Sequence, residues 1–290
     1  RITVQGGIGT SDEDEFLRSQ YGVDGTGWGT PFLLVPEATN VDDPTLKLLS
    51  RAKEEDVVLS KNSPLGIRFF YLRGTSAENE KLARIRRGAP GSPCTEKYLV
   101  ANTEFTEEPI CTASHAYQRR KIEQLQSLNL PEADYKRQLQ DVLNKECLCI
   151  GLSNAVVKKY GLKPFKKLEA VNICPGPNIA YFTEIVSLRR MVDHIYGRTN
   201  IIHHMSRPHM FIKELMLYVD YWSELLDETP DLIDHKRKAY IKNFHENLVN
   251  GIAYYRRLAS EVNEGVTLLK SKMEDGLDEA ERQLSKLLEE

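Results

Sequence analysis

The chain has 290 residues, 41% of them apolar and 28% charged, with a formal net charge of −3. That balance suits a globular protein and gives no general attraction to nucleic acid; no run of eighteen apolar residues occurs, so no membrane-spanning helix and no membrane partner are expected. The five cysteines are odd in number and lack the spacing of a small disulfide scaffold, which points to a reducing, cytoplasmic compartment.

The first element is a strand, Ile2 to Gln5, running into the turn Gly6-Gly7-Ile8-Gly9. A short helix follows. Thr10 with Glu13, or Ser11 with Asp14, has the spacing of a capping box, Phe16 and Leu17 give an apolar face, and Tyr21-Gly22 ends it. A second short strand, Val23 to Trp28, leads to Gly29-Thr30. Such a βαβ unit crosses over right-handed and puts both glycine turns on one edge of the sheet. Glycine lets backbone approach an anion and adopt positive φ, and the N–H groups then point at the charge. An ordinary βαβ unit also uses tight turns, but two glycine turns at consecutive strand ends favour a phosphate or a cofactor. Arg1 lies directly in a strand, and a parallel strand with one βα unit behind it needs partners. The front of a larger sheet is therefore expected to precede it.

Gly6-Gly7-Ile8-Gly9, followed by Val23-Asp24-Gly25, Gly29-Thr30 and Phe32-Leu33, resembles the last two strands of a flavin-binding TIM barrel. It is most similar to the nitronate monooxygenase and glutamate-synthase-like group, over residues 1–40. The resemblance implies that Gly6, Gly7, Ile8, Gly9, Trp28, Gly29 and Thr30 hold the phosphate of FMN. Trp28 departs from the pattern: it stands where a smaller residue is usual, and its ring would wall the flavin or block it. The resemblance also implies an α/β fold, the last βαβ unit of a truncated TIM barrel, with the catalytic acid or base on an earlier strand.

Asp43-Pro44 starts a helix carrying Leu46, Leu48, Leu49 and Ala52. Residues 57–110 read as irregular, a long excursion over the barrel mouth, with a short basic helix from Asn79 to Arg87 whose arginines would bind an anion or face solvent. Residues 112–145 read as helical with a break at Leu130-Pro131, and a further helix spans Ser153 to Tyr160. The last ninety residues are amphipathic. Phe211, Leu215, Tyr218, Trp222 and Leu225 make one stripe; Ile241, Phe244, Leu248 and Tyr255 another. Val266, Leu269, Met273, Leu277, Ala280, Leu284 and Leu287 make a heptad-like seam. These helices would pack on their own domain or on a second copy of the chain. The division expected is a barrel end over 1–56, a loop-rich cysteine-bearing extension over 57–186 and a helical domain over 187–290.

Cys94, Cys111, Cys147, Cys149 and Cys174 all fall in the middle of the chain, three of them close to prolines. Rigid turns that fix thiolates at set distances suit iron–sulfur ligation, and four thiolates bind a [4Fe–4S] cluster or a structural zinc. Small-residue packing explains buried cysteines equally well, and a redox or nucleophilic thiol is a third reading. The expected ligand set is Cys94, Cys111, Cys149 and Cys174, with Cys147 left out. His203-His204 and His209, around Arg207-Pro208, and His194 beside Asp193 suit metal binding or proton transfer, although polar loop residues of this kind are more often plain structure. His115 follows Cys111 by four, a helical Cys/His pairing distance. Neither Gly-x-Ser-x-Gly, His-Glu-x-x-His nor a phosphate-loop Gly-Lys-Ser/Thr motif occurs, so hydrolase, zinc-protease and ordinary NTPase readings have no motif support.

Two functions follow as expectations. One is the rear part of an FMN-dependent oxidoreductase of nitronate-monooxygenase type acting on a small molecule, with an iron–sulfur cluster relaying electrons to the flavin. The other is a non-enzymatic, cysteine-clustered helical subunit that docks on a partner chain. A homo-oligomer through the C-terminal helices fits either.

Overall fold

The computed structural model describes residues 1–163, 168–202, 207–227, 235–261 and 267–289. The fold is mixed α/β and mostly helical, with four short strands among the described residues. No helix there is long and apolar enough to cross a membrane.

β1 (Thr3–Gln5) pairs with β2 (Gly25–Gly27). The Asp24 N–H donates to the Ile2 carbonyl at 2.8 Å. A Cβ on Gly25 would meet Thr3 and one on Gly27 would meet Gln5, so the strands advance together and the pair is parallel. α1 (Ser11–Tyr21) makes the crossover. The capping box of the sequence forms at its start: Thr10 Oγ1 accepts the Glu13 N–H at 3.2 Å and Glu13 Oε2 accepts the Thr10 N–H at 3.3 Å. Gly22, at φ +62°, ends the helix by donating its N–H to Arg18, the left-handed turn that glycine adopts without strain.

The chain divides into two compact units. One contains residues 1–3, 7–25 and 204–290. Its body is a bundle of α9 (Met210–Asp227), α10 (His235–Glu261) and α11 (Thr267–Glu289), each packed on the other two. Ile212, Leu215, Val219 and Trp222 from α9, Leu248 and Ile252 from α10, and Met273, Leu277, Ala280 and Leu284 from α11 form its core. The seam expected along the last helix is therefore buried from Met273 to Leu284, with Leu287 partly buried against it; Val266 and the side chain of Leu269 lie outside what is described. Tyr218 belongs to the expected stripe but faces solvent. At Gly276 an added Cβ would overlap Ile212 Cγ2, so a glycine is needed for α11 to approach α9 this closely.

The other unit contains residues 4–6 and 26–203. Leu34, Val35, Leu49, Leu72, Ile179, Phe182, Met191 and Ile201 are at its centre. Its helices are α2 (Asp43–Leu49), α3 (Ser76–Arg86), α4 (His115–Ser127), α5 (Glu132–Asn144), α6 (Leu148–Gly151), α7 (Asn154–Lys159) and α8 (Leu188–Ile195). The irregular reading of residues 57–110 is corrected in its first half. β3 (Val57–Ser60) and β4 (Phe69–Leu72) form an antiparallel hairpin with Val57 opposite Leu72 and Ser60 opposite Phe69. Strands of four residues are too short to declare a period of two, and the Phe69–Leu72 run is apolar without alternation. α3 follows where the short basic helix was expected, capped by Thr75, whose hydroxyl accepts the Glu78 N–H at 3.3 Å.

Candidate functional site

The first glycine turn begins where β1 ends, with Gly6 at φ +98° and Gly7 at φ +73°. Gly9 has a separate role within the helical unit. Its N–H donates to Glu13 Oε2 at 2.8 Å, and an added Cβ would stand 2.7 Å from the Arg207 guanidinium. Arg207 Nη1 donates to Glu13 Oε1 at 2.7 Å, and Nη2 donates to Glu13 Oε2 at 3.0 Å and to the Gly7 carbonyl at 2.8 Å. The Met210 N–H adds a bond to Glu13 Oε1 at 2.8 Å. Glu13 and Arg207 are both buried, and this bidentate pair, with backbone donors filling the carboxylate, meets the condition under which a buried ion pair is tolerable. Sequence reading found Glu13 only as a cap and Arg207 only as a neighbour of histidines; a pairing across 194 residues leaves no local signal.

His209 lies in the same unit, edge-on to Phe16 and Phe211 at 5.6 and 5.1 Å between ring centres. Burial pushes its pKa down to about 4; Glu13 opposes this and Arg207 adds to it. Its Nδ1 accepts the Phe211 N–H at 3.3 Å, so the ring is a neutral packing element. His203 and His204 lie outside the described residues.

Gly6, Trp28, Gly29 and Thr30 belong to the other unit. A Cβ on Gly6 or on Gly29 would meet nothing within 4 Å, so the backbone at both is open to an approaching group. Trp28 donates from Nε1 to Thr26 Oγ1 at 3.3 Å and sets its ring edge-on to His194 at 5.9 Å. His194 is buried, and its Nδ1 accepts the Ile201 N–H at 3.4 Å. Thr30 Oγ1 accepts the Gly176 N–H at 3.1 Å, and a Cβ on Gly176 would overlap that hydroxyl.

The cysteine geometry rests on two segments laid side by side. The Ser92 N–H donates to Ala113 O and the His115 N–H to Ser92 O, both at 2.9 Å. Gly91, at φ +88°, fits because a Cβ there would run into the His115 backbone at 2.7 Å. This pairing brings Cys94 next to Cys111, and their thiols hydrogen-bond. Cys94 itself is held at φ +48° and Lys97 at φ +58°, left-handed positions that only a few per cent of non-glycine residues adopt. Cys147 immediately precedes α6 and Cys149 lies within it. All six pairs among Cys94, Cys111, Cys147 and Cys149 are within electrostatic reach of one another. Backbone N–H groups also point at the sulfurs: Lys97 at Cys94, Ala113 at Cys111, and Tyr98 and Leu99 at Cys149. Burial raises the thiol pKa values of Cys94, Cys111 and Cys149, that of Cys111 to about 12.

Cys174 stands apart. It is exposed at its surface, and the groups acting on its thiol are its surroundings and the Phe70 backbone. The structure thus brings Cys94, Cys111 and Cys149 together with Cys147, and places Cys174 elsewhere. His115 opens α4 and bonds through Nδ1 to the Pro90 carbonyl at 2.6 Å. Among the described residues, no group of three or more His, Cys, Asp or Glu side chains is placed to hold a metal ion.

A buried polar knot fixes the chain just before Cys147. Glu146 Oε2 pairs with Lys81 Nζ at 3.0 Å, accepts the Tyr71 hydroxyl at 3.0 Å and meets Asn62 Nδ2 at 3.4 Å. The Glu146 N–H donates to Asn62 O at 3.0 Å. Lys81 also reaches Asn144 O at 3.4 Å, Gln118 reaches Lys145 O at 3.3 Å, and Lys145 Nζ donates to Lys61 O at 2.7 Å. The partners come from the hairpin, α3 and α4, so nothing in the local sequence marks them.

The chain matches no protein-family model, and neither a curated protein nor a solved structure matches it significantly.

Proposed function

We propose that this chain carries the FMN-binding end of a flavin-dependent oxidoreductase, with β1, α1 and β2 as the last βαβ unit of a TIM barrel. The observation that carries the reading is the pair of glycine turns. Each begins where a strand of the parallel pair ends, and Gly6 and Gly29 leave open space at the backbone. A phosphate held by backbone N–H groups needs that bareness. Gly6, Gly29 and Thr30 would hold the phosphate, Gly7 and Ile8 would shape the turn, and Trp28 would wall the flavin. The Gly9 N–H is already donated to Glu13 Oε2. Bound FMN supplies two-electron redox chemistry that can also proceed in single-electron steps; the protein supplies its position and its electrical environment. The substrate is read as a small molecule and the compartment as reducing and cytoplasmic; the five cysteines are free thiols, which supports the latter.

Gly29→Val is the clean test. Gly29 sits at φ −95°, which valine accepts, and a Cβ there meets nothing within 4 Å. The fold should be unchanged while the side chain fills the phosphate's place. The purified protein should be yellow and release FMN on heating. Gly29→Val should lose at least tenfold in FMN affinity at an unchanged melting temperature. A colourless protein that does not bind added FMN, or a valine variant with full flavin content, overturns the proposal.

A further inference from the structure

We infer that Cys94, Cys111, Cys147 and Cys149, and not Cys174, are the four thiolate ligands of one soft-metal centre, zinc or an iron–sulfur cluster. The inference rests on the thiols alone and stands or falls independently of flavin binding. Three features carry it. Two separate chain segments and the start of α6 come close enough that the thiols of Cys94 and Cys111 hydrogen-bond and the charge of each of the four sulfurs bears on the other three. The segments are built to converge: the Ser92–Ser114 bridge, the bare Gly91 and the left-handed Cys94 all serve to bring Cys94 against Cys111. Cys94 and Cys111 each accept an N–H from a residue two or three positions further on, and Cys149 accepts two from residues 98–99. Backbone donors aimed at sulfur stabilise thiolate charge and tune bound clusters.

Packing alone does not account for the set. Four small side chains could be buried anywhere in the core, yet these four lie together and Cys94 is held at a left-handed φ of +48°. The Glu146 knot adds rigidity on the remaining side, since it anchors residues 144–146 directly before Cys147. Four thiolates select zinc or iron–sulfur clusters over harder cations. As they bind, each thiol gives its proton to solvent and the sulfurs turn toward a common centre. Four thiolates around Zn²⁺ leave a net charge of about −2, and Lys97 beside Cys94 offsets part of it.

The test uses the full chain, isolated without oxygen, as wild type and as Cys147→Ser, Cys149→Ser and Cys174→Ser. Zinc, iron and acid-labile sulfide are measured per chain. If the isolated protein is metal-free, Zn²⁺ alone, and then Fe²⁺ with sulfide, are offered under argon. The expected result is about one zinc, or about four iron with four sulfide, per chain. Cys174→Ser should keep it, and Cys147→Ser and Cys149→Ser should each weaken it at least tenfold. A brown protein with sulfide identifies the cluster, a colourless one with zinc the structural ion. Alkylation read by mass spectrometry guards against a variant that does not fold: in metal-loaded wild type the four thiols should be protected until chelator is added, while Cys174 reacts throughout. No metal under any loading, a Cys94–Cys111 disulfide in the anaerobically isolated protein, or loss of metal in Cys174→Ser with retention in Cys147→Ser overturns the inference.

Discussion

Removing the Glu146 carboxylate should be among the costliest single changes in the cysteine-bearing unit. The Glu146 side chain is 2% exposed and that of Lys81 10%, so neither charge has water to fall back on. Glu146→Ala strands the Lys81 ammonium, the Tyr71 hydroxyl and one Asn62 N–H at once. Leaving one member of a buried ion pair costs about 3–5 kcal/mol, and an unsatisfied buried hydroxyl adds about 1–3 kcal/mol if it finds no other partner. Tyr71 keeps Thr75 Oγ1 at 3.3 Å, so that second cost should be small, and about 3–5 kcal/mol is expected in total. Lys81→Met alone leaves the carboxylate with Tyr71 and Asn62 and should cost less. The double change Lys81→Met with Glu146→Leu should recover part of the loss, because both charges go together. The chain has two tryptophans, Trp28 in this unit and Trp222 in the other, so urea unfolding followed by fluorescence in a Trp222→Phe background reports this unit alone. If Glu146→Ala costs under about 1 kcal/mol, or the double variant is simply the sum of Lys81→Met and Glu146→Leu measured singly, then the pair is not buried and coupled as described.

Gly276→Ala should destabilise the helical bundle by about 1–3 kcal/mol through overpacking, because the new methyl overlaps Ile212; an unchanged or higher melting temperature, despite alanine's better helix propensity, would refute the close approach of α9 and α11. His209 gives a pH signature. Its folded pKa of about 4 lies below the unfolded value of about 6.5. The unfolded chain therefore binds the extra proton first as pH falls. Stability from this group is full above about pH 6.5 and is lost progressively down to about pH 4, by about 3 kcal/mol at most. His209→Asn, which keeps an acceptor for the Phe211 N–H, should flatten that part of the stability-against-pH curve measured by denaturant titration; an identical slope in the variant would exclude His209 as its source.

What the sequence made legible was local. The Thr10–Glu13 capping box formed as spelled, because both partners lie within one turn. The helix break at Leu130-Pro131 appeared between α4 and α5, because proline cannot follow a helical residue without steric cost. The Asp43-Pro44 start was right to within one residue, the capping position being Asp42. What stayed hidden was non-local. The hairpin strands are too short for periodicity, and the Arg207–Glu13 and Lys81–Glu146 pairs depend on tertiary approach, with Glu13 partly disguised by its second task as a cap.

The choice between Cys147 and Cys174 turns on contacts that spacing does not show. Thiols two residues apart diverge when both lie on one helix, and this argues for dropping one of Cys147 and Cys149. The argument fails if a helix boundary passes between them. Here it does: Cys147 is extended, at φ −73° and ψ 95°, and α6 starts at the next residue, so the two sulfurs need not point apart. Cys174, beside Pro175-Gly176-Pro177, has the rigid turn expected of a ligand. That turn serves a different contact, in which the Gly176 N–H meets Thr30 and the Pro177–Tyr181 turn feeds Ile179 and Tyr181 into the core. Proline beside cysteine therefore marks a rigid turn and leaves open what the rigidity is for. Which other sulfurs a thiol faces is set by contacts between distant parts of the chain, while the backbone donors at Cys94 and Cys111 come from only two or three residues on.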